Sequence, residues 1–229
     1  MTKKIAFTNA EGQELAGRLE LPADSHPHNF AIFAHCFTCS KNLSAVKAIS
    51  RALTGSGFGV LRFDFTGLGE SEGDFTDSNF SGNIEDLVSA SHYLSKHYKA
   101  PALLIGHSLG GAAILYAAEH LPDVKALATL GAPARPDHVQ HIFKSKIEEI
   151  KSEGKARVNI GGRDFTIKKQ FVDDLNARTA PEVAKTLDRA LLILHSPQDR
   201  IVSIRNAEEI YKSARHPKSF VTLDGSDHL

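Results

Sequence analysis

Residues 104–113 read LIGHSLGGAA, an apolar run that closes on Gly106-His107-Ser108-Leu109-Gly110 and passes at once into small, helix-compatible residues. The pattern G-x-S-x-G with a strand before it and a helix after it places a serine on a sharp strand-to-helix turn. Such a turn strains the serine's backbone and crowds the positions on either side, which glycine relieves. It lifts the Ser108 hydroxyl above the end of a sheet. The first N–H groups of the following helix, with their positive dipole end, then stand ready for an anion. Serine is a weak nucleophile by itself. If Ser108 attacks anything, a histidine and an orienting acid must follow along the chain.

Working outward from this stretch, IAFTN and ELAGRLEL alternate around AEGQ and read as an antiparallel hairpin at the N-terminus. Beyond PADSHPH, short apolar runs alternate with amphipathic ones: strands at 29–35, 58–65, 101–107, 124–133, 189–196 and 218–225, helices at 42–57, 79–98, 108–121 and 202–214. ALLIG and LLILH show no polar alternation, the mark of strands covered on both faces in a parallel sheet. The fold class expected is α/β, a mostly parallel twisted sheet flanked by helices in one domain spanning 1–229. Residues 134–189 interrupt the alternation with a charged helix at 138–154, a hairpin around Gly161–Gly162 and a helix at 168–179. That is too long for a plain connection, so it reads as a lid-like insertion over one end of the sheet.

Twenty-seven basic residues balance twenty-seven acidic ones, so no global field favours nucleic acid or a membrane surface. No apolar run reaches the roughly 20 residues of a membrane helix, and the N-terminus has no apolar core of a secretory signal. A cytoplasmic protein is expected, with a small molecule as its partner and neither metal nor organic cofactor. The spacing of His26, His28, His138 and His141 fits no ligand set. TGLGESEG at 66–73 lacks the Lys-Ser/Thr of a phosphate loop.

The acid and the base are sought after the late strands, in the order serine, acid, histidine. HSPQDRIV places Asp199 behind one such strand, and LDGSDHL places His228 behind the last. Asp64, after an earlier strand, is the rival acid; Asp224 and Asp227 read as turn residues. An oxyanion hole needs two donors: the backbone N–H of Leu109, and one from the loop HCFTCSKN, assigned to Phe37 with Cys36 as its neighbour rival. Phe143 and Phe171 of the insertion are candidates to line a substrate pocket. His35 is read as ordering its loop. Cys36 and Cys39 have the C-x-x-C spacing without a thioredoxin-like context. They are read as packed thiols; oxidation that deforms the loop and tunes activity is the alternative.

GHSLGG, PQD and GSDH in this order, together with the loop RFDFTGLGESEG ahead of them, resemble an α/β-hydrolase over essentially the whole chain. More narrowly, AHCFTCSKN, FTIKKQF and HPKSFVTLDGSDHL resemble the hydrolase half of bacterial fusions that carry an OsmC-like domain downstream. The resemblance implies a serine esterase acting on small to medium acyl esters through a Ser108–Asp199–His228 triad. It also implies such a domain beyond Leu229 in the natural full-length protein. Thioesterase, amidase or peptidase activity would use the same triad. A catalytically silent binding module partnering a redox domain is the alternative from another class.

Overall fold

The computed structural model describes residues 1–160, 162–177 and 180–228. An eight-stranded sheet organises them. β1 (Thr2–Thr8) and β2 (Glu14–Glu20) form the expected hairpin, paired antiparallel from Thr2↔Glu20 to Thr8↔Glu14. β3 (Asn29–Ala34), α1 (Ser44–Gly55), β4 (Phe58–Phe63), α2 (Phe80–His97), β5 (Pro101–His107), α3 (Leu109–Ala117) and β6 (Ala126–Leu130) follow in alternation. After the insertion come β9 (Ala190–His195), α7 (Arg205–Ser213) and β10 (Lys218–Thr222). The spatial order is β1-β2-β4-β3-β5-β6-β9-β10. β2 and β4 are antiparallel and every pairing from β4 to β10 is parallel. All the parallel strands therefore release their loops at one edge, the edge at which such sheets bind ligands.

The main core lies on the face covered by α2, α3 and α7. Phe80, Ile84, Leu87 and Leu94 of α2 are buried there, as is all of α3. Each Leu or Phe so buried contributes about 1.5–3 kcal/mol. The opposite face differs from expectation. Phe33, Val46, Ile105 and Leu130 form a small second cluster under α1. Beyond it, Leu103, Ala128, Leu192 and Leu194 remain half-buried along an open apolar groove. LLILH is thus apolar on both faces but deeply buried on one, because the helix packed on that side, α1, sits towards β4.

Within 134–189 the charged stretch is not one helix. A 3-10 segment (Pro136–Lys146) breaks at Phe143, whose φ of −126° is non-helical, before α4 (Ile147–Glu153). β7 (Lys155–Ile160) and β8 (Arg163–Lys168) form the expected hairpin; Gly161, at its tip, lies outside the described residues. α5 (Lys169–Asn176) follows, and the end of the expected helix, residues 178–179, also lies outside them. α6 (Ala180–Thr186), packed on α3 and α7, went unread because APEVAKT is too short for a period to show. No described helix is long and apolar enough to cross a membrane.

Candidate active site

Ser108 stands between β5 and α3 at φ 53°, ψ −125°, a positive φ that a side chain-bearing residue rarely adopts. Its N–H donates to Leu130 O (2.9 Å), tying the turn to β6. Gly110 shows why the motif needs glycine: a Cβ there would lie 2.4 Å from His35 O and 2.6 Å from Ala34 O. The first turn of α3 thus rests on the end of β3, where the loop HCFTCSKN begins.

Three loops of the same sheet edge bring the expected side chains together. His228, after β10, directs Nε2 at Ser108 Oγ (3.0 Å) and Nδ1 at Asp199 Oδ2 (2.7 Å). Asp199, after β9, is 8% exposed, and its Oδ1 accepts from the N–H groups of Ile201 and Val202 at 2.8 Å each. Burial alone would raise its pKa. The hydrogen bond from His228 and the two backbone donors outweigh this and hold the carboxyl below its usual value. An ionised carboxylate only accepts, so Nδ1 of His228 carries the proton and the Nε2 lone pair faces the serine hydroxyl. Ser108 Oγ–H, donating to that nitrogen, has a base in place.

The rival acid is occupied elsewhere. Asp64, fully buried, pairs with the Lys41 ammonium, itself 1% exposed, and accepts from Lys41 N–H (2.7 Å) and Glu70 N–H (3.0 Å). Lys41 also reaches Glu70 Oε2 (2.7 Å). This cluster anchors the far end of the 35–42 loop. At the near end, buried His35 has its pKa lowered by desolvation and stays neutral. Its Nδ1–H donates to Cys36 O (2.8 Å), and Nε2 takes Phe65 N–H at 3.4 Å. Among the described residues, neither Phe37 N–H nor Leu109 N–H has an acceptor, so both backbone donors are free for a ligand.

The two cysteines overturn the reading as packed thiols: Cys36 and Cys39 are joined in a disulfide. Three-residue separation puts their Cα atoms 5.3 Å apart in a closed turn, within bonding reach. Phe171, 3% exposed, stacks on Phe37 with ring centroids 5.4 Å apart, and Phe37 meets Phe75 at 5.5 Å. Phe165 of β8 adds an edge contact to Phe75 at 4.8 Å. The insertion therefore touches the sheet at the loop beside Ser108. Phe143 is 2% exposed, inside the core at the kink rather than on an open wall.

Residues 32–160, more than half of the chain, match the family described as serine aminopeptidase, S33. The chain belongs to that family of α/β-hydrolases. An esterase domain from Rhodothermus marinus is 50% identical, with a TM-score of 0.79 over 100% of this hydrolase and 90% of that chain. The mouse alpha/beta hydrolase domain-containing protein 10 shares the fold (TM-score 0.80, 20% identity, 99% of this hydrolase and 90% of that chain). In sequence, the human mitochondrial palmitoyl-protein thioesterase ABHD10 is 30% identical over 122 residues, 53% of this hydrolase and 39% of that protein. An uncharacterised Salmonella typhi protein, YfhR, is 24% identical over 99% of the hydrolase and 74% of its own length.

Sequence reasoning missed three contributors to the hydrolase site. His107, buried and with its pKa pushed down to about 4 by desolvation and then by its electrostatic interaction with the neighbouring His228 ring, is neutral. Its Nε2–H donates to the backbone carbonyl of His228 at 2.6 Å. The residue before Ser108 thus grips the main chain of His228. His195 donates Nε2–H to Val202 O (2.7 Å) and lies 3.5 Å from Asp199 Oδ2. Gly131, at φ +55°, passes so close beneath the acid–base pair that a Cβ would sit 3.3 Å from both Asp199 Oδ2 and His228 Nδ1. Only a histidine at the variable position of G-x-S-x-G hinted at the first; the other two carry no local signal.

Proposed function

We propose that this hydrolase cleaves carboxylic esters of small to medium acyl groups through a Ser108 acyl-enzyme. The observation that carries the reading is the unbroken relay from Ser108 Oγ through His228 to Asp199 at 3.0 and 2.7 Å. As Ser108 Oγ attacks the carbonyl carbon, its proton passes to His228 Nε2, and Asp199 stabilises the imidazolium. Leu109 N–H and Phe37 N–H hold the oxyanion of the tetrahedral intermediate. The intermediate collapses by breaking the bond to the alcohol, which takes its proton from His228. A water molecule, deprotonated by the same nitrogen, then attacks the acyl-enzyme and regenerates Ser108. No step needs a metal or organic cofactor. Half-buried Phe37 and Phe75, packed on buried Phe171, offer an apolar wall to the acyl chain.

The test is turnover of p-nitrophenyl acetate, butyrate and octanoate by wild type and Ser108→Ala. Loss of kcat by roughly 10⁴-fold or more in the variant is expected, with the chain-length profile sizing the acyl wall. Equal slow rates in both proteins would overturn the reading in favour of a silent binding module, as would no stoichiometric fluorophosphonate label on Ser108. The 30% identity to a palmitoyl-protein thioesterase favours a second reading, thioester cleavage by the same relay. Matched oxygen and thiol esters of one acid separate the two by kcat/KM.

A further inference from the structure

The Cys36–Cys39 disulfide is a feature of the site that the reaction scheme does not use. It closes a four-residue turn whose two inner residues are Phe37 and Thr38, and Cys39 N–H donates to Cys36 O (3.1 Å) across it. Thr38, at the third position, has a φ of 59°. Turns with positive φ there ordinarily use glycine, and a β-branched residue in that region is an outlier that persists only when its surroundings over-determine it. Three contacts and one covalent bond do so here. Cys36 O accepts from both His35 Nδ1 and Cys39 N–H, Thr38 O accepts from the Arg163 guanidinium of β8, and the disulfide ties the ends.

The consequence lies in one peptide plane. In a planar trans peptide the C=O of Cys36 and the N–H of Phe37 point in opposite directions. Two donors hold the Cys36 carbonyl towards His35 and the turn interior, so the Phe37 N–H is held facing away from them. One of those two donors, Cys39 N–H, reaches the carbonyl only while the turn is closed. Opened, the turn lets Thr38 return to negative φ, and the Cys36–Phe37 peptide keeps His35 as the one donor that still orients it.

We propose that the Cys36–Cys39 disulfide positions the Phe37 oxyanion donor, so that the hydrolase turns over in its oxidised form and slows when a dithiol reduces it. The inference rests on the triad reading above. It also gives a direction to the alternative raised from the sequence, in which oxidation deformed the loop and tuned activity. The chemistry is thiol–disulfide exchange. A thiolate of the dithiol attacks the sulfur of half-buried Cys39, which is more open than Cys36, and displaces the Cys36 thiolate. The second thiol of the reagent then displaces Cys39, leaving two protein thiols and the cyclic disulfide of the reagent. Two electrons pass to the protein, and the sulfurs take up two protons. Disulfides that open and close in this way are regulatory in many settings.

The experiment measures p-nitrophenyl butyrate hydrolysis before dithiothreitol, after it, and after reoxidation, with thiols titrated in denaturant at each stage. An oxyanion donor acts on the transition state. Reduction should therefore lower kcat by roughly 10- to 100-fold, short of complete loss of a donor, while KM stays within about twofold. Reoxidation should restore the rate. Cys36→Ser/Cys39→Ser should show the low kcat without any response to reductant. Adding Thr38→Gly to that variant should recover much of the rate, because glycine holds positive φ without penalty. If the serine pair does not fold, the wild-type titration decides alone. A kcat unmoved by confirmed reduction, two free thiols in active untreated protein, or a rise in KM in place of the fall in kcat would each overturn the proposal. Ser108→Ala, run alongside, keeps the two claims apart. Turnover in that variant sinks the triad reading, whereas a silent variant beside a redox-insensitive wild type sinks only the role of the disulfide.

Discussion

At the scale of single residues the site is built from groups whose protonation their neighbours decide. Asp199 is ionised because His228 and two backbone N–H groups outweigh its burial. His107 is neutral because burial and His228 oppose its charge. That neutrality makes His107 a one-proton donor, and the proton is committed to the carbonyl of His228. His107→Leu should therefore loosen the base and lower kcat about 10- to 100-fold, since small misplacements of a catalytic group cost this much. His107→Gln, which can still donate from its amide, should retain more of the rate. Steady-state kinetics on the two variants, with circular dichroism to confirm folding, checks this; equal losses in both would remove His107 from the positioning of the base. Ser108, Asp199 and His228 were legible because each stands just after a readable strand in a fixed order. The contribution of His107 was not, since its partner is 121 residues away.

At the scale of elements, the loop between β3 and α1 is the most heavily constrained piece of the site. Its far end hangs on the buried Lys41–Asp64 pair, and Glu70 shares the ammonium. Removing one partner of a buried ion pair leaves an uncompensated charge. Lys41→Met should thus destabilise the fold by about 3–5 kcal/mol, read as a lower urea midpoint at unchanged m-value. A shift of the size seen for exposed pairs, below about 1 kcal/mol, would mean that the pair behaves as a solvated one and that water takes the place of the ammonium. The strands were the most readable elements, because alternation in β1 and β2 and continuous apolar runs in β3 to β6 follow directly from period and burial. The break at Phe143 and the helix Ala180–Thr186 were not, because a kink and a seven-residue helix leave too few turns for a period. Cys36 and Cys39 were visible as a spacing. Their bonding depended on the turn conformation that the loop adopts between β3 and Lys41.

At the scale of the whole molecule, two buried neutral histidines make the fold acid-sensitive. His35 and His107 both have pKa values lowered by burial, His107 from 6.5 to about 4. The unfolded chain binds more protons than the native one between those values. Their contribution is therefore complete above pH 6.5 and is lost as pH falls below it, for His107 as pH falls towards 4. For His107 the loss amounts to about 3 kcal/mol. Urea titrations at neutral pH and near pH 4 should show it, and His107→Gln should narrow the difference between the two. An identical pH dependence in that variant would place the acid sensitivity elsewhere. By itself, the sequence determined what depends on a few neighbouring residues: the strand–helix alternation, the hairpin, the serine on its turn, and the late acid and histidine. Tertiary structure decided what depends on residues far apart in the chain. It gave Asp64 to Lys41 and left Asp199 for His228, bonded the two cysteines, and left one face of β9 half-open. Local geometry is written into a few consecutive dihedrals. Which carboxylate meets which cation is settled only when loops from different strands converge on one edge of the sheet.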